Sequence, residues 1–364
     1  MKPADLLPSL PAGGKILFVR LRSLGDTVLS TPLYAALKAW RPDLRLSVLL
    51  ESPHDEVLQA SAELDRVIRI PRCNFPRVLN VRWSALNEVR RNRFDCCVNL
   101  HGGSTGAWFT LLSGARFRVG LEGFRNRFAY NVLSLVPPRK SDGSKMHSVE
   151  YQIHWLRQLG LPESPIPALK VAADLRAKLR VMDRLISAGL SADLPYAVIQ
   201  PASKFHTKEW TPEGFAEIVK YLSQSYRLQS VVIGGPGEAP QVEAVAKRCE
   251  TRAIVLSGIS VAELMGVIQG ATIFIGNDSG PTHIASALRV PVVVIFGSSD
   301  SKVWFPWQAS SRVVQNDFAC NPCPGYRCLV YHEPRCILSI TPSQVKAAID
   351  SLLQGRLKDL PLRS

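Results

Sequence analysis

The strongest constraint on the fold is an alternation that runs along nearly all of the 364 residues: short apolar runs, each followed by a helical pattern. In the first half the runs are KILFVRL (15–21), LRLSVLLE (44–51), RVIRIP (66–71), DCCVNLHG (95–102) and FRVGLEG (117–123). In the second half they are YAVIQPAS (196–203), QSVVIGG (229–235), AIVLSG (253–258), TIFIGND (272–278) and VPVVVIFG (290–297). The second set is nearly continuous in Val and Ile, the pattern of parallel strands covered on both faces. Strand–helix alternation of this kind implies α/β architecture with two doubly wound domains and a cleft between them. The proline-rich PESPIPALKV (162–171) separates the arrays, and a helical pattern follows over 175–188. The expected organisation is a flexible tail over 1–14, a first domain over 15–165, a linker and connecting helix over 166–195, a second domain over 196–350 and a tail over 351–364.

A content of 46% apolar residues supports two ordinary cores, so extended disorder is excluded. The N-terminus has no signal-peptide pattern, and the longest apolar runs fall far short of the roughly 20 residues that span a bilayer. The expectation is a soluble, cytoplasmic protein. Its formal net charge is +14, and eight arginines lie between Arg66 and Arg93 against Glu88 alone. Such a stretch suits a polyanion, an anionic membrane face or a phosphorylated glycolipid, or is simply a solvated helix face.

Ligands of doubly wound sheets bind beyond the carboxyl ends of the strands, so the turns there carry the candidate chemistry. In FVRLRSLGDTVLSTP (18–32), Asp26 stands between the first strand and a helix expected to begin near Thr27. It is either the N-cap of that helix or a catalytic carboxylate. In GNDSGPTHIASAL (276–288), a strand meets a helix starting near Pro281. Ser279 and Gly280 leave backbone N–H groups at a positive dipole end, which suits a phosphate, and His283 is expected to face the same pocket; the alternative is a capped turn. In PASKFHTKEW (201–210), Ser203, Thr207 and Lys208 offer hydroxyls and an ammonium to phosphate oxygens. VVIGGPGEAPQV (231–242) fails the dinucleotide fingerprint, because Pro240 occupies the last glycine position. A nicotinamide enzyme is thereby disfavoured, and Glu238 is left as a candidate for ribose hydroxyls.

Cys320, Cys323, Cys328 and Cys336 form C-x2-C-x4-C-x7-C, a spacing that matches no common zinc module. Reduced thiols are the expectation, with the quartet kept as the candidate metal set. Cys96 and Cys97 lie inside a strand and are expected in the core.

Taken together, VRLRSLGDTVLSTP, NLHG (99–102), PASKFHTKEWTPEGF, GGPGE and GNDSGPTHIASAL resemble the ADP-heptose:lipopolysaccharide heptosyltransferases, glycosyltransferase family 9, from about Lys15 to Ile349. The stretch CNPCPGYRCLVYHEPRCILSIT resembles the heptosyltransferase III-like branch. The resemblance implies a GT-B fold, two Rossmann-like domains facing a central cleft, and inverting transfer of heptose from ADP-heptose to the lipopolysaccharide inner core, with no required cofactor. It implies Asp26 as the general base. Ser203, Thr207, Lys208, Asp278, Ser279, Gly280 and His283 would serve the donor's sugar and phosphates, Glu238 its ribose, and Gly258 and Ile259 would border its adenine. Arg22, Ser23, His101, Arg118 and Arg125 are the expected acceptor contacts. Peripheral association with the cytoplasmic face of the inner membrane is implied, and nucleic acid is not an expected partner.

Two other classes stay open on the residues alone. A nucleotide-sugar epimerase or hydrolase would consume donor without acceptor. A non-catalytic polyanion-binding protein would show strongly salt-dependent nucleic-acid binding, but leaves both phosphate-type turns unexplained.

Overall fold

The computed structural model describes residues 2–323 and 325–354, and the chain divides after Ala172 into two compact units. The first contains strands β1 (Lys15–Leu21), β2 (Arg45–Glu51), β3 (Arg66–Ile70), β4 (Cys96–Asn99), β5 (Phe117–Leu121) and β6 (Val132–Ser134). They pair in parallel in the order β3-β2-β1-β4-β5-β6. Its helices are α1 (Leu24–Val28), α2 (Thr31–Trp40), α3 (Arg77–Arg91), α4 (Ser104–Leu112) and α5 (Ser148–Gln158).

The second unit repeats the plan. Strands β7 (Tyr196–Gln200), β8 (Gln229–Ile233), β9 (Ala253–Leu256), β10 (Ile273–Asn277), β11 (Val292–Ile295) and β12 (Ser311–Val314) pair in parallel as β12-β11-β10-β7-β8-β9. Around them lie α6 (Leu175–Ser187), α7 (Pro212–Tyr226), α8 (Ala239–Ala246), α9 (Val261–Gln269), α10 (Gly280–Ala287), α11 (Ser301–Trp304), α12 (Arg335–Leu338) and α13 (Pro342–Leu353).

All ten runs expected from the sequence are strands. The central ones, β7, β10 and β11, are buried at every position, as helices on both faces of a sheet require. Helix boundaries follow local chemistry. Thr211 caps α7 by accepting from the Gly214 N–H at 3.1 Å, with Pro212 in the first turn, and Ser260 with Glu263 closes a capping box on α9.

Several expected boundaries are corrected. Residues 2–14 are not a loose tail: a single 3-10 turn (Pro3–Asp5) leads into Leu6, Leu7 and Leu10, which are buried. The connecting helix α6 belongs to the second unit. It packs on α9 closely enough that a Cβ on Gly266 would meet the Lys178 backbone, and Arg184 pairs with Glu263 at 2.8 Å. Residues 351–353 continue α13, with Leu352 and Leu353 in the core of the second unit, and 355–364 lie outside the described residues.

Candidate active site

In each sheet the strand order reverses beside the first strand of the unit: β1 lies between β2 and β4, and β7 lies between β8 and β10. The crevice at such a reversal is where an open α/β sheet binds ligands. The turns after β1 and β4 flank one crevice, and those after β7 and β10 flank the other.

In the second unit a buried asparagine ties the two flanking turns together. Asn277, the last residue of β10, donates through Nδ2 to the Pro201 carbonyl at 2.7 Å and accepts from the Trp210 N–H at 3.1 Å. That holds the 201–210 turn, and with it Lys208, whose Nζ pairs with the Asp278 carboxylate at 2.7 Å. Asp278 is only 7% exposed, so Lys208 is its compensating charge. The same ammonium lies 5.9 Å from the centre of the Phe205 ring. Ser279 stands at the N-cap position of α10, but its hydroxyl donates to Gln200 Oε1 at 3.1 Å instead of capping the helix. Among the described residues no side chain caps α10, and the ammonium of Lys208 pairs with Asp278, two residues before the helix begins. An uncapped helix start with an ammonium near it suits a diphosphate.

The other donor candidates divide into two sets. Glu238 lies at the start of α8 and accepts the Gly235 N–H at 2.8 Å, which holds its carboxylate at the carboxyl edge of β8. Gly258 adopts φ +68°, a conformation glycine takes without penalty, and the next residue, Ile259, donates its N–H to Gly234 at 3.3 Å. Ser203 is anchored through its N–H to Glu209 at 3.0 Å. Thr207 and His283 are both almost wholly buried. Thr207 is 1% exposed, and its hydroxyl is engaged with Ser298 and the Gly325 carbonyl. His283 is 3% exposed, on the buried side of α10.

In the first unit the asparagine at the corresponding place holds the turn after its own strand. Asn99, the last residue of β4, accepts the N–H groups of His101 (3.0 Å) and Gly102 (3.1 Å) and donates to the Tyr130 hydroxyl at 2.8 Å. Gly102 is required here, since it adopts φ +73° and a Cβ would run into the Phe124 ring. Across the crevice, Asp26 is not the N-cap. The helix begins three residues earlier than the sequence pattern implies, Ser23 occupies the N-cap, and Asp26 is the third helical residue. Its Oδ2 accepts from the Ser23 N–H (3.3 Å) and hydroxyl (3.0 Å), and its Oδ1 has no hydrogen-bond partner among the described residues. A half-exposed carboxylate with one oxygen held and the other open can accept a proton from a bound hydroxyl.

Burial holds His101 below the usual imidazole range, and the charges of Arg20 and Arg22 push the same way. A hydrogen bond to the Arg22 backbone and the charge of Asp26 oppose them. Arg22 is half-exposed and lies 3.6 Å from Glu51. Arg125 is exposed on the loop after β5. Arg118 is partly buried. It lies near the start of β5, and its guanidinium donates to the carbonyls of Ala129 (3.2 Å) and Ala115 (3.4 Å).

Sequence reasoning passed over three groups here. Arg20, inside the apolar KILFVRL run, is 7% exposed and donates to Ser30 Oγ (3.1 Å), the Leu100 carbonyl (3.1 Å) and Gln152 Oε1 (2.9 Å). Ser30 in turn donates to the Asp26 carbonyl at 2.8 Å, so this buried cation braces the segment that carries Asp26. A charge in an apolar strand was the signal available. His54 and Asp55 gave no such signal. Asp55 is 1% exposed and pairs with Arg69 at 2.6 Å, while His54 Nδ1 is buried with no hydrogen-bond partner among the described residues. Burial, reinforced by Arg72, pushes His54 down to about 4.

The cysteine quartet lies against the donor-side turn. Cys320, Cys323, Cys328 and Cys336 line one cavity of about 300 Å³ together with Thr207 and Ser298. Burial raises Cys336, and the other three thiols act in the same direction. Among the described residues, no three His, Cys, Asp or Glu side chains are disposed to hold a metal ion. Cys96 and Cys97 are fully buried, and burial pushes Cys97 up to about 12.

The model of glycosyltransferase family 9 (heptosyltransferase) matches residues 82–332. Lipopolysaccharide heptosyltransferase 3 of Escherichia coli strain K12 is 30% identical over 302 residues, covering 79% of this chain and 83% of that protein. Among solved structures, the family 9 glycosyl transferase of Veillonella parvula DSM 2008 superposes with a TM-score of 0.79 at 22% identity, over 94% of this chain and 97% of that one. The E. coli ADP-heptose lipopolysaccharide heptosyltransferase II superposes at 0.75 with 19% identity, over 94% and 99%. The two superpositions identify the paired Rossmann-like units as the GT-B fold.

Proposed function

The chain belongs to glycosyltransferase family 9, the heptosyltransferases, and from that premise we propose that it transfers heptose from ADP-L-glycero-β-D-manno-heptose to the lipopolysaccharide inner core with inversion. The observation that carries this reading is the contrast between the two crevices. One presents a carboxylate with an open oxygen, and the other presents an ammonium paired with Asp278, two residues before an uncapped helix start.

In this reading the second unit binds the donor. Lys208, Ser203 and the N–H groups at Ser279 and Gly280 take the diphosphate, Glu238 takes the ribose, and Gly258 with Ile259 borders the adenine. Lys208 exchanges part of its interaction with Asp278 for the phosphate oxygens. The first unit holds the acceptor, with Arg22, Arg125 and Ser23 around its anionic groups. His101, whose basicity burial lowers, serves as a hydrogen-bonding partner.

The acceptor hydroxyl oxygen forms a bond to the anomeric carbon while the bond from that carbon to the phosphate oxygen breaks. The hydroxyl proton passes to Asp26 Oδ1, and ADP leaves with the bonding electron pair. Charge developing on the leaving phosphate is stabilised by Lys208 and the α10 N-terminus, so the step needs no proton donor at that oxygen. The acceptor is an amphiphile, so the enzyme works as a peripheral protein at the membrane surface. Among the described residues, no helix is long and apolar enough to cross a bilayer.

Incubation with a panel of nucleotide sugars and truncated lipopolysaccharide cores, read by mass spectrometry, tests the proposal. The expected product is a core heavier by one heptose, formed only when ADP-heptose and acceptor are both present. Donor consumption without acceptor would instead identify an epimerase or hydrolase.

A further inference from the structure

One surface of the first unit is apolar, aromatic and basic at once. On α3, Leu79, Trp83, Leu86 and Arg90 follow at helical spacing, and Thr105, Trp108 and Leu112 do so on α4. Leu86 and Phe109 are buried and form the floor of an open groove of about 280 Å³ between the two helices. Its rim is exposed: Trp83 is 61% and Trp108 53% accessible, with Leu79 and Leu112 beside them. The Trp108 ring meets the 61%-exposed Phe128 edge-on at 5.7 Å, which extends the patch onto the loop after β5. Arginines border it throughout: Arg82 in the groove lining, Arg90 and Arg91 at the end of α3, and Arg125 and Arg127 beside Phe128.

We propose that this α3–α4 face docks the protein on an anionic lipid bilayer, with Trp83, Trp108 and Phe128 entering the headgroup region and Arg82, Arg90, Arg91 and Arg127 meeting lipid phosphates. Tryptophan is the residue type that settles at a membrane–water interface, because its ring is apolar and its N–H is wet. A basic rim around an apolar face is the composition of an in-plane membrane contact. A second copy of the chain is a poorer occupant. A symmetric contact would press this arginine-rich surface against itself, with Glu88 as the sole acid on α3.

The inference rests on the reading of the acceptor as membrane-embedded, and it adds the orientation. Helix α4 starts three residues after His101, and Asn126 of the adjoining loop donates to Ser104 Oγ at 3.3 Å. Docking through α4 and this loop therefore sets the acceptor-side turn of the first unit beside the lipid headgroups.

Co-sedimentation with vesicles of phosphatidylcholine alone, or mixed with phosphatidylglycerol, tests it. The wild-type protein should bind the anionic vesicles, and brominated lipid should quench part of its tryptophan fluorescence. Trp83→Ser/Trp108→Ser should weaken binding by about tenfold or more, and Arg90→Gln/Arg91→Gln should reduce the preference for anionic lipid. Turnover on a water-soluble acceptor fragment should be unchanged in both variants, which also shows that they fold. Unchanged vesicle binding by the tryptophan variant, or no quenching of the wild type, would overturn the proposal. So would wild-type self-association that the tryptophan variant abolishes, since a second copy would then be the occupant. If vesicle binding behaves as expected while no nucleotide sugar is consumed, the functional reading fails and the docking surface stands.

Discussion

The turns after β1 and β7 occupy the same topological position in two sheets of the same design, yet they present opposite charges. A buried asparagine ends the neighbouring strand in each unit, but only Asn277 holds the turn in question, after β7. Asn99 holds the turn after its own strand, β4, and the Asp26 segment is braced by Arg20 through Ser30. After β1 the side chain offered is a carboxylate whose second oxygen is open. After β7 it is an ammonium held by a buried carboxylate beside an uncapped helix. A shared scaffold therefore sets where a functional group stands, and the turn residues decide whether the site takes up a proton or holds an anion.

The sharpest way to break this contrast is Asp26→Asn. Asparagine keeps an oxygen for Ser23, so a purely capping residue predicts little change. A general base predicts a fall in kcat of at least about 10²-fold, with ADP affinity retained. Steady-state kinetics with calorimetric ADP binding separates the two, and near-wild-type turnover would reduce Asp26 to the capping partner of Ser23.

The matching test in the second unit is Lys208→Ala. Loss of a charge-assisted phosphate contact should cost about 1.5–3 kcal/mol, or roughly 10- to 150-fold in transfer efficiency at low donor concentration. It also strands Asp278, so the melting temperature should fall. Lys208→Ala/Asp278→Asn should recover the stability but not the donor affinity. Recovery of both would make Lys208 a structural counter-ion only.

A third test uses pH and touches only the first unit. His54 charges near its ordinary value of 6.5 when unfolded, but burial delays this to about 4 in the fold. Between those values the unfolded chain binds more protons, so stability falls as pH drops from 6.5 towards 4 and is unaffected above. The contribution is of order 1–3 kcal/mol after allowance for partial contact with water. His54→Asn should flatten that part of the stability profile measured by denaturant titration. An identical slope in the variant would assign the acid sensitivity to other groups.

The smallest effect is expected at the cysteine quartet, which lies against Thr207 on the donor side. Chelator treatment should change turnover by less than about twofold, because the proposed step is carried by Asp26, Lys208 and a helix N-terminus. One zinc held per chain by elemental analysis, with loss of donor binding on its removal, would make the quartet a support of the second turn.

Much of this protein can be read from local pattern. Ten of the twelve strands among the described residues announce themselves as short apolar runs, and the turns that carry Asp26, Lys208 and Ser279 follow directly from them. The strands missed, β6 and β12, are edge elements of three and four residues with polar or half-exposed positions, although the other edges, β3 and β9, were legible. Burial direction was also beyond reach. That Thr207 and His283 are almost wholly buried, and that Arg118 donates to the Ala129 carbonyl, is set by packing that residue type does not announce.

By itself the sequence determined the α/β class, the two arrays and the chemistry available at each turn, because side-chain periodicity and turn propensity are properties of neighbours in the chain. Only the tertiary structure decided which of those groups are presented. Arg20 reaches Gln152 across 132 positions, and Trp83 lies beside Trp108 from a different helix. Contacts of that range depend on strand order and helix placement, and these form only when the whole unit closes over its core.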